Sequence, residues 1–517
     1  MSKVLPERKC RTCLVSMPAN EHYFHSRGRG RLSLDCKYCR SKKRKGEKID
    51  PPGAAPSKRI PKAKRYIVTY AQNATPVFEP FLQSLKNYAV KINARVVVIA
   101  GRYQNPTSVY SERMANDDWW DPSLDPYIYL GEHEINSGLA VFGDTSIQPT
   151  AVRPLSGFET HVRNRSGIFG HPKQELVVIP TASREWPRIL MSTGAVTVPN
   201  YTQSKAGKKG ERSHTIGAAI IEVDGGEFWL RHVTSDEQGC FQDLDSYCSP
   251  VGVEPGPPIE ALVCGDIHFD SINRAVDEAT FSGDGSIVNT MRPRHIVYHD
   301  ILSMSARPKY DGKKLTTRYK AHVTGKESVR NEVLRVLDGL LCRTPEWSTG
   351  HVVQSNHDKH LMHWLETADV KCDPENAVFY HETWLELLRG FNPASKDNWP
   401  LPLEVWAKKM LGDEQPLHFL HRDERLRIAG HECDFHGDGG PNGTRGTIGQ
   451  FAKFGAKTVI GHSHTPGIRD GCMQVGVTGA LDQHYNDRPS TWMHAHGILY
   501  NSGARTLVFF VGKKWRL

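Results

Sequence analysis

Residues 262–268, LVCGDIH, set a short apolar run before a turn glycine and then two metal-ligating side chains, Asp266 and His268. Four later stretches have the same layout. His295-Ile296-Val297-Tyr298 leads to His299 and Asp300, and Val352-Val353-Gln354 leads to Ser355, Asn356, His357 and Asp358. Cys433-Asp434-Phe435-His436 is backed by the turn Gly437-Asp438-Gly439-Gly440, and Thr458-Val459-Ile460 leads to Gly461, His462, Ser463 and His464. Short apolar runs bounded by turn residues predict buried strands. Residues two apart in a strand share a face, so the D-x-H pair is expected to present both side chains together. Five strand ends carrying Asp, Asn or His are then expected to converge on one edge of a sheet, where open α/β folds build their sites.

With 25 histidines in the chain, any one of these pieces can arise by chance. Their order carries the information. D-x-H, an acid after the second strand, N-H-D, a lone His and G-H-x-H together resemble the calcineurin-like metallophosphoesterase superfamily. The resemblance covers roughly residues 260–510 and implies an α/β fold, with a β-sandwich flanked by helices over 256–517. Carried over position by position, it implies that Asp266, His268 and His464 hold one metal. Asn356, His436 and His462 would hold a second, with Asp300 bridging. His357 matches the histidine that assists the leaving group, and Asp358 the acid that orients it. His431 competes with His436, which is preferred because an apolar residue precedes it and a glycine turn follows. Two positions depart from the family pattern: His299 stands where a glycine usually precedes the bridging acid, and Ser355 where one precedes Asn356.

The residue types suit phosphodiester hydrolysis on chemical grounds too. Two metals about 3.5–4 Å apart neutralise phosphoryl oxygens and lower a bridging water's pKa from about 15.7 towards roughly 7, giving a hydroxide nucleophile. Imidazole, carboxylate and amide ligands favour Mn, then Fe or Zn, over Mg. The GDxxDRG run of protein Ser/Thr phosphatases is absent, since the chain reads HDILS from His299. The ligand order suits SbcD-type nucleases, cyclic-nucleotide phosphodiesterases and small phosphatases alike.

Charge tips the expectation to DNA. Residues 1–65 hold 19 Lys and Arg against 5 Asp and Glu, while the remainder holds 47 against 52. Within that basic segment Cys10, Cys13, Cys36 and Cys39 form two C-x2-C pairs 22 residues apart. Four thiolates at this spacing predict a structural zinc in a segment with little core of its own. His25 could replace one thiolate but reads as a surface residue. Arg27, Arg29 and Arg31 beside Tyr23 and Phe24, then Arg40, Lys42, Lys43, Arg44 and Lys45, suit contact with a phosphate backbone. The module resembles the zinc ribbons at the front of phage and HNH-type nucleases. A charge run can equally be a solvated face, and the ribbon a protein-docking knob.

The expected organisation is a zinc ribbon (1–45), a basic flexible linker (46–65), an α/β accessory domain (66–255) and the metallophosphoesterase domain (256–517). Within the accessory part, 66–72 and 95–100 predict strands around a helix at 76–93, a βαβ unit, followed by a strand at 175–180 and a hairpin at 216–223 and 227–233. No phosphate-binding glycine fingerprint follows its first strand. A basic stretch at 305–330 (Arg307, Lys309, Lys313, Lys314, Arg318, Lys320, Lys326) is a further candidate DNA contact. The zinc ribbon, the accessory domain and the terminal stretch resemble phage-encoded metallophosphoesterases, among them early proteins that degrade host DNA. No apolar run approaches the roughly 18 residues of a membrane span. The expectation is a cytoplasmic enzyme, in the host cytoplasm if phage-encoded, with DNA as partner and a homo-oligomer left open. The alternatives are a small-molecule or cyclic-nucleotide phosphodiesterase, and a DNA-binding regulator on an inactive phosphoesterase fold.

Overall fold

The computed structural model describes residues 7–12, 16–20, 24–27, 31–44, 59–103, 119–143, 145–182, 186–312, 314–394, 398–412, 415–421, 424–483 and 488–517. The protein is mixed α/β with several sheets. Ala261–Val263, His295–His299, Thr349–Val353 and Leu417–Leu420 run parallel in one sheet, and Ala495–Leu499 and Arg505–Phe509 extend it antiparallel. Helices connect the parallel strands, including Arg274–Phe281, Val329–Arg343 and Lys359–Thr367.

Side chains alternate across this six-stranded sheet. Leu262, Ile296 and Val352 point into a core shared with the helices, while Ala261, Val263, Val297 and Val353 point into a second core. Both faces are buried, which is why these strands read as continuous apolar runs rather than alternating ones.

Residues of a ten-stranded sheet also enter this second core. At one end lie Arg427–Ile428, His431–Glu432, Lys457–Ile460, Cys472–Gln474 and Gly467–Arg469. At the other lie Leu176–Ile179, Arg188–Ser192, Ser166–Phe169, Leu139–Phe142 and Glu132–Asn136. Leu176 pairs antiparallel with Ile468, so one sheet holds strands from both sides of residue 256.

The βαβ unit forms as Arg65–Ala71, the helix Glu79–Lys91 and Arg95–Ala100, with the two strands parallel. Gly217–Asp224 and Glu227–Thr234 form the hairpin and join the same five-stranded sheet. Arg231, Glu222, Asp243 and Tyr88 meet beneath it. Arg231 Nε donates to Asp243 Oδ1 at 2.5 Å and Tyr88 Oη to Asp243 Oδ2 at 2.5 Å.

The N-terminal module is built from the paired strands Glu7–Lys9 and Ser16–Pro18, the pair Phe24–Ser26 and Leu32–Cys36, and the helix Lys37–Arg44. Phe24 is fully buried with Cys10, Cys36 and Cys39, so it serves as the module's core and not as a surface for bases. Most of the expected linker, residues 46–58, lies outside the described residues. No described helix is long and apolar enough to cross a membrane.

Candidate metal centre

The C-terminal ends of five strands meet as expected, but they belong to two sheets. Asp266, Asp300 and Asn356 follow strands of the six-stranded sheet, and His436 and His462 follow strands of the ten-stranded one. Asp266 and His268 also come together by a route other than strand alternation. Their strand ends at Val263, Asp266 bridges to Val477, and His268 turns back with φ 48°. Asp300 (51°), His462 (72°) and His464 (57°) share this left-handed backbone. Non-glycine residues held there cost about 1–3 kcal/mol each and persist where the surroundings enforce them, commonly at functional sites. Four of the seven candidate ligands are held in this way.

The seven side chains form two groups. In the first, His464 Nε2 lies 3.1 Å from Asp266 Oδ2 and 3.2 Å from His268 Nε2. In the second, Asn356 Oδ1 lies 3.1 Å from His436 Nε2 and 3.0 Å from His462 Nδ1. Asp300 Oδ2 sits between the groups, 3.5 Å from His268 Nε2 and 3.8 Å from His436 Nε2. Ligand atoms about 2.0–2.2 Å from one ion lie roughly 3.0–3.5 Å apart, so the spacing suits metal coordination. Donor atoms of Asp266, His268, Asp300 and His464 all fall within 4.8 Å of one another, and these four residues are buried. Asn356, His357 and His462 are only half-buried, so the second group opens outward.

The electrostatics favour a cation here. Asp266 is fully buried and Asp300 is 2% exposed. Among the described residues their ion pairs are with His464, His268 and His436, none with Lys or Arg. Buried carboxylates need pairing or a metal. Burial, then the adjacent Asp266 and Asp358, push the Asp300 carboxyl well above its usual range. Burial and the neighbouring His464 hold His268 well below the usual imidazole value. Burial likewise takes His436 down to about 3. Neutral imidazoles around two crowded acids are a donor set that bound cations would satisfy.

Three neighbours shape the site. Ser355 Oγ donates to Asp300 Oδ1 at 2.6 Å. A Cβ on Gly461 would stand 2.3 Å from Asp266 Oδ1, so only glycine leaves room for that carboxylate. His462 N donates to Asp266 Oδ2 at 2.9 Å. Ser355 was legible only as a departure from the family pattern, although S-x-x-D before a helix is a capping signature.

That signature corrects the expected Asp358–His357 pair. Asp358 accepts from Ser355 N and Leu302 N, each at 3.1 Å, while Asp358 N donates to Ser355 Oγ at 3.1 Å. The carboxylate is used up in closing the turn that starts the helix. His357 Nδ1 has no hydrogen-bond partner, and its ring centroid lies 5.1 Å from that of His268. His299, in the other departing position, is fully buried with both ring nitrogens unpartnered, 5.6 Å from the His436 ring. His431 is outside the cluster, bonded to the carbonyl of Ala429 at 3.1 Å.

Beside the second group opens a cavity of about 1180 Å³, lined by Asn356, His357, Lys359, His360, Tyr310 and Trp399 among others. Of the basic 305–330 stretch, Lys309 also lines it. Arg307 does not serve as a surface contact: it is 9% exposed and forms a two-pronged ion pair with Asp373 at 2.5–2.6 Å. Lys313 lies outside the described residues, and Lys314 pairs with Asp311 at 2.8 Å.

A second buried group lies in the N-terminal module. Donor atoms of Cys10, Cys36 and Cys39 fall within 4.8 Å of one another. Cys36 N donates to Cys10 Sγ at 3.1 Å and Cys39 N to Cys36 Sγ at 3.4 Å. Cys13 lies outside the described residues, as do Tyr23, Arg29 and Lys45. His25, Arg27, Arg31, Lys43 and Arg44 are exposed and Arg40 is half-buried, while Lys42 falls within the helix Lys37–Arg44.

Fold and site together define a mixed α/β protein with a buried Asp/His group and a separate cysteine group, each able to hold metal. The chain belongs to the family of Protein A1 of Escherichia phage T5. It is similar to that protein at 34% identity over 470 residues, 88% of this chain and 83% of the relative. No protein-family model matches the chain. Among solved structures, Vps29 of Chaetomium thermophilum is similar at 8% identity over 35% of this chain and 94% of that one, with a TM-score of 0.20.

Proposed function

We propose that this chain is a metal-dependent nuclease that hydrolyses DNA phosphodiester bonds. The observation that carries the reading is Asp300 Oδ2, set 3.5 Å from His268 and 3.8 Å from His436 with further ligand types on either side. Asp266, His268 and His464 would hold one divalent ion and Asn356, His436 and His462 the other, with Asp300 shared. Bound there, such a pair supplies an acidified water and neutralises phosphoryl charge. Mn fits the mixed donor set best, ahead of Fe, Zn or Mg. The fold reading that accompanies this proposal is a metallophosphoesterase sandwich, the two sheets facing each other across their common core.

His357, whose Nδ1 has no hydrogen-bond partner, would hand a proton to the leaving alkoxide. It lines the 1180 Å³ cavity together with Lys359 and His360, cationic or protonatable groups suited to flanking phosphates. The excess of 19 basic over 5 acidic residues in 1–65 supports DNA over a small diester. Zinc bound by Cys10, Cys36 and Cys39, with Cys13 as the fourth ligand its spacing implies, would hold that module together.

The test is incubation with Mn²⁺ and linear, circular or single-stranded DNA beside bis-p-nitrophenyl phosphate. Cleavage of DNA is expected. Turnover of the small diester with DNA left intact would instead favour a small-molecule phosphodiesterase. Turnover of neither, with metal bound, would favour a DNA-binding regulator.

A further inference from the structure

His431, the histidine left out of the metal centre, is fully buried, and its Nε2 has no hydrogen-bond partner. It lines a separate cavity of about 330 Å³ together with Lys173, Arg212, Lys457, Arg505 and Asp470. Five cationic or protonatable side chains face one carboxylate, and that carboxylate is taken: Lys173 Nζ lies 2.5 Å from Asp470 Oδ1.

Two of the other cations are held by neutral groups. Lys457 Nζ donates to the carbonyl of Gly503 at 3.0 Å, and Arg505 donates to the carbonyls of Gly471 and Asp470. Carbonyls satisfy N–H groups without cancelling charge. Among the described residues neither Lys457 nor Arg505 forms an ion pair with a carboxylate. The charges are felt by their neighbours: burial and then Arg505 hold the Lys457 ammonium below its usual range. Burial, then Arg505 and Lys457, takes His431 down to about 3.

A walled cavity whose lysines and arginines outnumber its one carboxylate is built for an anion. We propose that it binds a phosphate group, and that this is a second site, independent of the metal centre. Lys457 opens the strand Lys457–Ile460, and His462 follows that strand's other end, so the two sites lie at opposite ends of one strand. Lys173 and Arg212 precede residue 256 and the other four follow it, so a bound phosphate ties the two parts of the chain together. The group has two sources: a free phosphate such as a released 5′-mononucleotide, or a phosphate of the DNA backbone.

The experiment uses full-length, metal-loaded protein and the double variant Lys457→Gln/Arg212→Gln, whose replaced side chains lie outside the metal centre. Inorganic phosphate and a 5′-deoxymononucleotide are titrated by calorimetry, and binding of a DNA duplex is measured across salt concentrations. Turnover of bis-p-nitrophenyl phosphate is expected to be unchanged. If the source is free phosphate, wild type shows a saturable class of sites that the variant weakens about tenfold or more, and Lys457→Arg retains it. If the source is DNA, the slope of log affinity against log salt falls by about 2 in the variant. Phosphate isotherms and a DNA salt slope both equal to wild type would overturn the proposal.

Discussion

Asp300 is held from both sides: its Oδ2 faces two imidazoles while its Oδ1 accepts from Ser355 Oγ. Losing that hydroxyl frees the carboxylate to rotate away from the shared position. Ser355→Ala is therefore expected to lower metal affinity about 10–100-fold, the usual effect of removing a ligand's own hydrogen-bond partner, as read by competition with a chelator. His357→Ala is expected to cut turnover about 10²–10⁴-fold while metal content stays at wild-type level, because no candidate ligand is removed. A matched loss of metal and activity would make His357 structural. At this scale the residues that come together as the Asp/His group were legible in the sequence because chemistry restricts the types of candidate ligands and the order of strand ends restricts their places. Asp358 was misread because H-D looks the same whether the acid faces the imidazole or the backbone. Only the hydrogen bonds to Ser355 N and Leu302 N separate the two.

Among the elements, the strands of the βαβ unit and the 217–234 hairpin were readable from apolar runs and turn residues, since each pairs with a neighbour close in sequence. The ten-stranded sheet was not. Its strands are two to five residues long, and its joining contact, Leu176 with Ile468, spans nearly 300 positions that no local pattern encodes. The Arg231 network was equally hidden, because a lone arginine in a strand reads as an edge residue. Its side chain is 4% exposed and Asp243 fully buried. Arg231→Leu would leave Asp243 without its counter-charge and Glu222 with Arg65 alone, and is expected to destabilise the protein by about 3–5 kcal/mol in denaturant unfolding. A loss under about 1 kcal/mol would mean that water reaches those carboxylates.

Across the whole molecule, charge and chemistry are separated: the basic excess is confined to residues 1–65, and the Asp/His group lies beyond residue 260. Deleting residues 1–58 is expected to leave turnover of bis-p-nitrophenyl phosphate intact while weakening DNA binding and flattening its salt dependence. Unchanged DNA binding would remove the module from the functional account. Composition made this division visible, but not how closely the parts on either side of residue 256 are joined, which depends on one sheet and one core common to both. The central claim is that Asp300 is shared between two metal ions. Its most direct test is the Mn content of purified protein by mass spectrometry, wild type against Asp300→Asn. The account predicts two Mn per wild-type chain, and one or none, with no turnover, in the variant. A wild-type chain holding a single Mn, or an Asp300→Asn chain that keeps both ions, would contradict it.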